Sequence, residues 1–377
     1  MDFAITREHD ALRSAVRGFA EAELAPRALE LDEREEFPFD AVRKLAQLGV
    51  VGVMTPKEYG GSGMGHLARM IAIEEVSRVY APLGFFLDTG MMGIYALQTS
   101  GGEELKRKFL PPICRGEMIV CLALTEPAGG SDPSAMQSSS RLVGNEYIIN
   151  GRKAFISLVE VSDLVCLAVR AEKGFNAFLV ERGTPGLEVT SRASHAGMRS
   201  IPVNELALTD CRVPRANLLG EEGRGLGAIL NAINAAGRTG AAGVALGIAR
   251  GSYETALKFA KERQLYGKPI AELQAIQFML VDMDVEIEAA RWLCYYAGWL
   301  LDEGKSPREI AREIARAKLY ACDVANRVAP KAVQVMGGYG TRPEYQAIRR
   351  VRDALDLLTA AGTQEIMRVT IGGSIIS

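Results

Sequence analysis

Between residues 273 and 301 the side chains of Leu273, Ile276, Leu280, Met283, Ile287, Ala290, Cys294, Ala297 and Leu301 recur alternately three and four residues apart. This spacing keeps one seam of an α-helix turned toward partner helices, and at 1.5 Å per residue it predicts a rod of roughly 40 Å. The seam is expected to be the core of a helical bundle.

The rest of the chain divides by period. Up to about residue 118 the signals are helical: Leu12, Val16, Phe19 and Leu24 share one side of the Asp10–Leu29 stretch. Asp40 is placed to cap a helix with Val42, Leu45 and Leu48 inside. A flexible glycine-rich loop, Tyr59 to Gly65, precedes further helices over Leu67–Tyr80 and Phe85–Leu97. From Val120 to about Gly220 short β-type runs take over: Tyr147-Ile148-Ile149, Leu164–Val169, Ala177–Val180 and Leu206-Ala207-Leu208. Asn150-Gly151 reads as a hairpin turn, because a type I′ turn needs positive φ at both positions. The segment Gly220–Gly225 reads as a linker. The expected fold is α+β, with an α-helical domain over 1–118, a β domain over 119–225 and a helical bundle over 226–377.

Charge and cysteine usage narrow the function. The 44 Lys+Arg against 46 Asp+Glu leave a net charge of −2, which favours neither nucleic acid nor an anionic membrane. Cys114, Cys121, Cys166, Cys211, Cys294 and Cys322 form no Cys-x-x-Cys pair and read as reduced core residues of a cytoplasmic protein. The start, Met1-Asp2-Phe3 followed by Arg7, Glu8, His9 and Asp10, lacks the basic-then-apolar order of a signal peptide. The charge-poor stretch Val79–Gly102 holds Pro82, Gly84, Gly90, Gly93 and a central Asp88, and reads as a buried helix rather than a membrane span. His9, His66 and His195 have no ligand-spaced neighbours, so neither a metal site nor a His-based triad is expected. Neither a Gly-x-Gly-x-x-Gly fingerprint after a strand nor a P-loop is present.

Three separated motifs carry a resemblance. Leu124-Thr125-Glu126-Pro127-Ala128-Gly129-Gly130-Ser131-Asp132 resembles the Thr-Glu-Pro-Gly-Ala-Gly-Ser-Asp signature of acyl-CoA dehydrogenases. Glu262-Arg263-Gln264-Leu265-Tyr266-Gly267-Lys268-Pro269-Ile270 and Gln334-Val335-Met336-Gly337-Gly338-Tyr339-Gly340 match further motifs in the same order. The likeness spans essentially the whole chain and implies that family's fold: an N-terminal helical domain, a middle β-barrel or sandwich, and a C-terminal four-helix bundle.

The resemblance also implies bound FAD. Leu122, Leu124, Thr125 and Ser131 would meet its polar edge. Phe155-Ile156-Ser157 is similar to the family's Trp-Ile-Thr element, with Phe155 as an aromatic wall and Ser157 as a hydroxyl near the reactive centre. Arg263 would neutralise the pyrophosphate, Gly337 and Gly338 would allow close backbone approach, and Tyr266, Gln274, Gln334, Thr363 and Glu365 complete the set. In this family the Arg263 and Gln334 motifs reach FAD held mainly by a neighbouring subunit, which implies a homodimer or homotetramer. Ser131, Arg238 and Gly362 match positions that contact the acyl-CoA, and electron-transfer flavoprotein is the implied electron acceptor.

The catalytic base departs from the family pattern. Where members carry a Glu in a Tyr-Glu-Gly-Thr element, this chain has Ala360-Ala361-Gly362-Thr363. At the alternative position, just before an Arg, it has Gly237. The Ala361 backbone N–H remains available to polarise a thioester oxygen. Asp88 is the one charged residue between Arg78 and Glu103, and falls among Phe85, Phe86, Met91 and Met92, surroundings that disfavour its charge. Counting back from the Phe109-Leu110-Pro111 match, the resemblance places Asp88 on the helix that lines the acyl pocket, and a base at its far end reaches a proton remote from the carbonyl, which is acidic only if conjugated to the thioester. The chain thus resembles the branch that oxidises cyclohex-1-ene-1-carbonyl-CoA to the cyclohexa-1,5-diene, with Asp88 as base. The Arg that members carry near Gly373 is missing. An acyl-CoA or acyl-carrier-protein dehydrogenase with another base, a flavin monooxygenase and a non-catalytic scaffold remain alternatives on the same fold.

Overall fold

Thr6 begins the first helix with a capping box: its hydroxyl accepts the His9 N–H while the His9 ring faces the Thr6 N–H. The structure, a computed structural model, describes residues 5–376. Met1-Asp2-Phe3, on which part of the leader reading rests, and the terminal Ser377 lie outside the described residues.

Helix α1 (Arg7–Phe19) continues through one π-turn and a short 3₁₀ turn at Pro26 into α2 (Ala28–Arg34), burying Leu12, Val16 and Leu24. Asp40 does not cap α3 (Phe39–Gln47). The cap position is Pro38, and the Asp40 carboxylate lies in the first turn, paired with Arg27. Leu48 follows the helix end and is exposed rather than inside. The glycine-rich loop is tied down: Ser62 N–H donates to Gly52 O, Gly63 N–H to Thr55 O and Met64 N–H to Val53 O. Beyond it come α4 (Gly65–Val79), α5 (Ala81–Ser100) and α6 (Glu103–Cys114).

The β segment forms one seven-stranded sheet: β1 (Val120–Ala123), β2 (Ser139–Val143), β3 (Glu146–Ser157), β4 (Leu164–Arg170), β5 (Phe175–Glu181), β6 (Leu187–Arg192) and β7 (Val203–Pro214). The order is β1-β4-β2-β3-β7-β6, with β5 also on β4. Strand β4, whose apolar run is buried from Leu164 to Val169, pairs parallel with β1 and antiparallel with β5.

Asn150-Gly151 is not a hairpin turn. It lies inside β3, where the register on β7 shifts between Ile149 and Gly151. The Asn150 amide donates to Asp210 Oδ1 and accepts the Asp210 N–H, so the pair makes a bulge clasped by the next strand. The hairpin joining β2 to β3 turns instead at Gly144-Asn145, with Gly144 at φ 62°. The segment 220–225 is stitched to its neighbours, with Gly220 N–H on Ser100 O at the end of α5 and Gly223 N–H on Asn176 Oδ1 of β5, and Gly225 already begins α7 (Gly225–Ala232).

A second π-turn (Ile233–Arg238) leads into α8 (Thr239–Glu262), followed by the small hairpin β8 (Gln264–Leu265) and β9 (Lys268–Pro269). The long seam is realised from its second turn onward as α9 (Gln274–Asp302), a 29-residue helix that buries Leu280, Met283, Ile287, Ala290, Cys294, Ala297 and Leu301, whereas Leu273 precedes the helix as its cap and Ile276 is half-buried. Helices α10 (Ala311–Met336), α11 (Ala347–Asp356) and α12 (Gln364–Ile376) complete the bundle, in which α8 packs on α4, α9 and α10. All six cysteines are buried and unbridged. Among the described residues no helix is long and apolar enough to cross a membrane, and no group of residues is arranged to hold a metal ion.

Candidate active site

Where α5 meets the start of α8, Asp88 is 1% exposed and neither of its carboxylate oxygens has a hydrogen-bond partner. It fits there because residue 240 is glycine: a Cβ on Gly240 would lie 2.2 Å from Asp88 Oδ1. Burial pushes the Asp88 pKa well above the ordinary carboxylate value, against the pull of Arg69 and Lys318. One turn along α5, Met92 faces Gly237, where a Cβ would stand 2.5 Å from the Met92 sulfur and 3.4 Å from the Ala361 Cβ. The two positions that lack a carboxylate, Gly237 and Ala361, therefore face each other. Of the four apolar neighbours expected around Asp88, Phe86 and Met91 instead line a separate void of about 10 Å³ with Val51, Ile113 and Val120.

Ala361 lies in the turn between α11 and α12 with φ 52°, followed by Gly362 at 102°. Such a conformation is uncommon for a residue with a side chain and persists where its surroundings enforce it. The fully buried Lys318 supplies the enforcement. Its ammonium donates to Gly362 O (2.9 Å), Gln364 Oε1 (2.9 Å) and Leu358 O (3.4 Å). Arg238 Nε donates to Ala361 O at 3.4 Å. Among the described residues no hydrogen bond engages the Ala361 N–H, which leaves a donor for an incoming oxygen. Thr363 accepts the Ile366 N–H in the first turn of α12, with Glu365 exposed beside it.

A second group surrounds the end of β1. Leu122 is buried in the strand, and Leu124 and Thr125 are half-buried beyond it. The loop is anchored by Glu126, whose carboxylate accepts Lys153 Nζ (2.8 Å), Gln137 N–H (2.7 Å) and Ser138 N–H (3.1 Å). Burial opposes the Glu126 charge, yet Lys153 and these donors hold its pKa below the usual value. The sequence reading missed this pair, whose members stand 27 residues apart. Thr125 O accepts the Ala154 N–H, fixing the loop to β3. Ser131 stands exposed between Gly130 and Asp132, which line a recess of about 200 Å³ with Leu124 and Glu126.

On β3 the register shifts between Lys153 and Ile156, and Phe155 takes φ 56° with its side chain 68% exposed. The bulge thus holds a bare aromatic wall outward beside half-buried Ser157, while Ile156 is buried. A third group lies at the ends of α8 and α10. Arg263, Tyr266, Gln274 and Gln334 are exposed, Arg263 sits over the Tyr339 ring, and a Cβ on Gly337 or Gly338 would meet nothing within 4 Å. Among the described residues no hydrogen bond or cation–π contact within the chain joins this ledge to Phe155. A flat, polar-edged dinucleotide fits these features: an uncovered aromatic wall, an exposed cation and open glycine backbone.

Sequence profiles of acyl-CoA dehydrogenases match the chain in all three parts: the N-terminal domain over residues 6–117, the middle domain over 121–211 and the C-terminal domain over 223–376. The chain belongs to the acyl-CoA dehydrogenase family. Members are FAD-dependent oxidoreductases. The short-chain specific acyl-CoA dehydrogenase of Clostridium acetobutylicum is 39% identical over 381 residues, covering 100% of both chains. The cyclohex-1-ene-1-carbonyl-CoA dehydrogenase of Syntrophus aciditrophicus is 38% identical, covering 99% of this chain and 91% of its own. The butyryl-CoA dehydrogenase of Megasphaera elsdenii superposes with a TM-score of 0.96 at 34% identity, over 100% of both chains. Identities this close do not choose among acyl groups, so the choice falls to the site.

Proposed function

We propose that this acyl-CoA dehydrogenase oxidises an alicyclic, already α,β-unsaturated thioester of the cyclohex-1-ene-1-carbonyl-CoA type, with Asp88 as the base. The observation that carries the reading is the convergence of Asp88, Gly240, Met92, Gly237 and Ala361, in which Asp88 is the one carboxylate.

The chemistry follows from that placement. The Ala361 N–H donates to the thioester oxygen and favours the dienolate. Asp88 takes a proton from ring C3, the γ-carbon, whose acidity reaches the carbonyl through C1=C2. The C3–H electrons become C2=C3, and hydride departure from C6 creates C1=C6. Loss of one proton and one hydride gives the conjugated 1,5-diene. Bound FAD supplies the hydride acceptor. Burial of Asp88 keeps its proton on at acidic pH and makes its conjugate base strong once formed.

FAD would be held by Thr125 with the backbone of Leu122 and Leu124, by Ser131, Phe155, Ile156 and Ser157, and by Thr363 and Glu365. A second copy of the chain would bring Arg263, Tyr266, Gln274, Gln334, Gly337 and Gly338. The exposed row Phe278, Val281 and Val285 on α9, with Val369 and Ile375 on α12, supports assembly into a homodimer or homotetramer. Arg238, Gly362 and Ser131 would contact the acyl-CoA, electron-transfer flavoprotein would collect the electrons, and unbridged buried cysteines suit a reducing cytoplasm.

The test is anaerobic flavin bleaching with cyclic and linear CoA thioesters. Asp88→Asn is expected to abolish bleaching by cyclohex-1-ene-1-carbonyl-CoA, and Ala361→Glu to confer bleaching by saturated thioesters. Best activity of the wild type on straight-chain saturated thioesters would refute the alicyclic reading.

A further inference from the structure

Arg69, on α4, is completely buried, yet no carboxylate lies within ion-pair distance of it among the described residues. Its guanidinium spends its hydrogen bonds on neutral groups: Nη1 donates to Ala236 O (2.8 Å), and Nη2 to Ala235 O (3.2 Å) and to the Thr239 hydroxyl. Nε is buried with no partner. Burying a permanent cation among neutral acceptors is unfavourable, since carbonyl and hydroxyl dipoles replace only part of its hydration. A neutral donor would satisfy the two carbonyls of the π-turn equally well, so the charge itself calls for a reason.

Asp88 supplies one. Thr239, which receives the guanidinium, and Gly240, against which the Asp88 carboxylate rests, are consecutive residues at the start of α8. A buried cation without an anion and a buried acid without a hydrogen bond therefore stand on neighbouring residues of one helix turn, close but not bonded. A direct bidentate pair would occupy the lone pairs of Asp88 and lower its basicity. A countercharge held back by Ala235, Ala236 and Thr239 favours the carboxylate while leaving its oxygens free.

We infer that Arg69 is the fixed countercharge that lets Asp88 carry its negative charge at its buried position between α5 and α8; this rests on Asp88 being the base. Arg69 is a positioning residue, acting through Asp88. Other ionisable groups around the pair have roles of their own, and from α5 burial keeps the Tyr95 hydroxyl, which also faces Arg69, protonated. From α10, Lys318 is committed to the Ala361–Gln364 turn, and the Cys322 thiol is kept neutral by burial, its pKa pushed up to about 11. From the π-turn, Arg238 is bonded to Ala361 O. From β1, the Cys121 thiol is likewise held neutral by burial. On the far side of Arg69, Asp302 accepts the His66 and Leu67 N–H groups at the start of α4, and burial keeps the His66 ring neutral, with a pKa pushed down to about 3. Among the described residues, Arg69 is the remaining cation whose bonds end beside the Asp88 carboxylate.

The experiment compares wild type, Arg69→Gln and Arg69→Lys as holoenzymes. The readout is the pH dependence of deuterium exchange from D₂O into ring C3 of cyclohex-1-ene-1-carbonyl-CoA, followed by NMR without an electron acceptor, alongside the pH dependence of flavin bleaching. Removing a nearby opposite charge moves a carboxyl by about 1–3 pH units. The acidic limb of both profiles is expected to move upward by that amount in Arg69→Gln, which keeps an amide donor, and to stay within about half a unit of wild type in Arg69→Lys, which keeps the charge. An unmoved limb in Arg69→Gln, or equal displacement in both variants, overturns the inference. So does loss of folded holoenzyme in both, which assigns Arg69 to holding the π-turn alone. Asp88→Asn separates the two readings. If it retains exchange at C3, the assignment of the base fails and this inference with it. If it loses exchange while Arg69→Gln keeps the wild-type profile, only the role of Arg69 fails.

Discussion

Gly240→Ala probes the base without removing it. The added Cβ would stand 2.2 Å from Asp88 Oδ1, 2.7 Å from its Cγ and 2.9 Å from its Cβ, so rotation of the carboxyl alone does not relieve the clash. The side chain must retreat by roughly 1 Å, and a misplacement of that size at a reacting group costs about 10²-fold in rate. Overpacking a buried site destabilises by about 1–3 kcal/mol, against which alanine gains about 1 kcal/mol over glycine within a helix. The net change in stability is therefore small beside the loss in rate. Gly243→Ala is the control, one turn further along α8, where the new methyl meets Ile73 at 3.1 Å and Met70 at 3.5 Å. Stopped-flow bleaching by cyclohex-1-ene-1-carbonyl-CoA should fall about 100-fold in Gly240→Ala and change by less than about threefold in Gly243→Ala, with FAD content equal in both. A folded, flavin-loaded Gly240→Ala enzyme that reduces its flavin at the wild-type rate would refute the placement of Asp88 at the reacting carbon.

Three further outcomes follow from the same geometry. Because the Asp88 pKa is raised on folding, its contribution to stability is fully present below the unfolded carboxyl value and is lost as pH rises through the folded value. Asp88→Asn should therefore be inactive yet melt higher than wild type at alkaline pH, with the difference shrinking toward pH 4, as thermal melts of the holoenzyme would reveal. Lys318→Met strips three hydrogen bonds from the Ala361 turn and should destabilise by about 1–3 kcal/mol while lowering kcat more than it raises KM, measurable by chemical denaturation and steady-state kinetics. Phe155→Ala removes the exposed wall on β3 and should weaken FAD retention by about tenfold, read by equilibrium release of flavin fluorescence.

Much of the architecture was legible because it depends on local period. The three-four alternation in α9 and the unbroken apolar run in β4 are properties of a few turns or residues, and each formed as its spacing required. Asp88 was legible for a similar reason, as a lone acid in a charge-poor helix. What failed to show depends on residues distant in sequence. Asn150-Gly151 has turn chemistry, but Asp210 on β7 captures the asparagine and converts the turn into a bulge. Asp40 has cap chemistry, but Arg27 from the preceding segment takes its carboxylate. Arg69, Lys153 and Lys318 look like ordinary surface cations in the sequence and gain their roles from carbonyls and carboxylates many residues away. The π-turns at Ala20–Leu24 and Ile233–Arg238 have no residue signature, although the second positions Arg238, Gly237 and Gly240 together.

The removal of a proton remote from the thioester is best tested by isotope effects on flavin bleaching with cyclohex-1-ene-1-carbonyl-CoA deuterated at C3 or at C6. Primary effects at both positions, with cyclohexa-1,5-diene-1-carbonyl-CoA as the product, are the expected result. Bleaching that is insensitive to deuterium at C3, or that proceeds with a saturated thioester by loss of its α-deuterium, would contradict it.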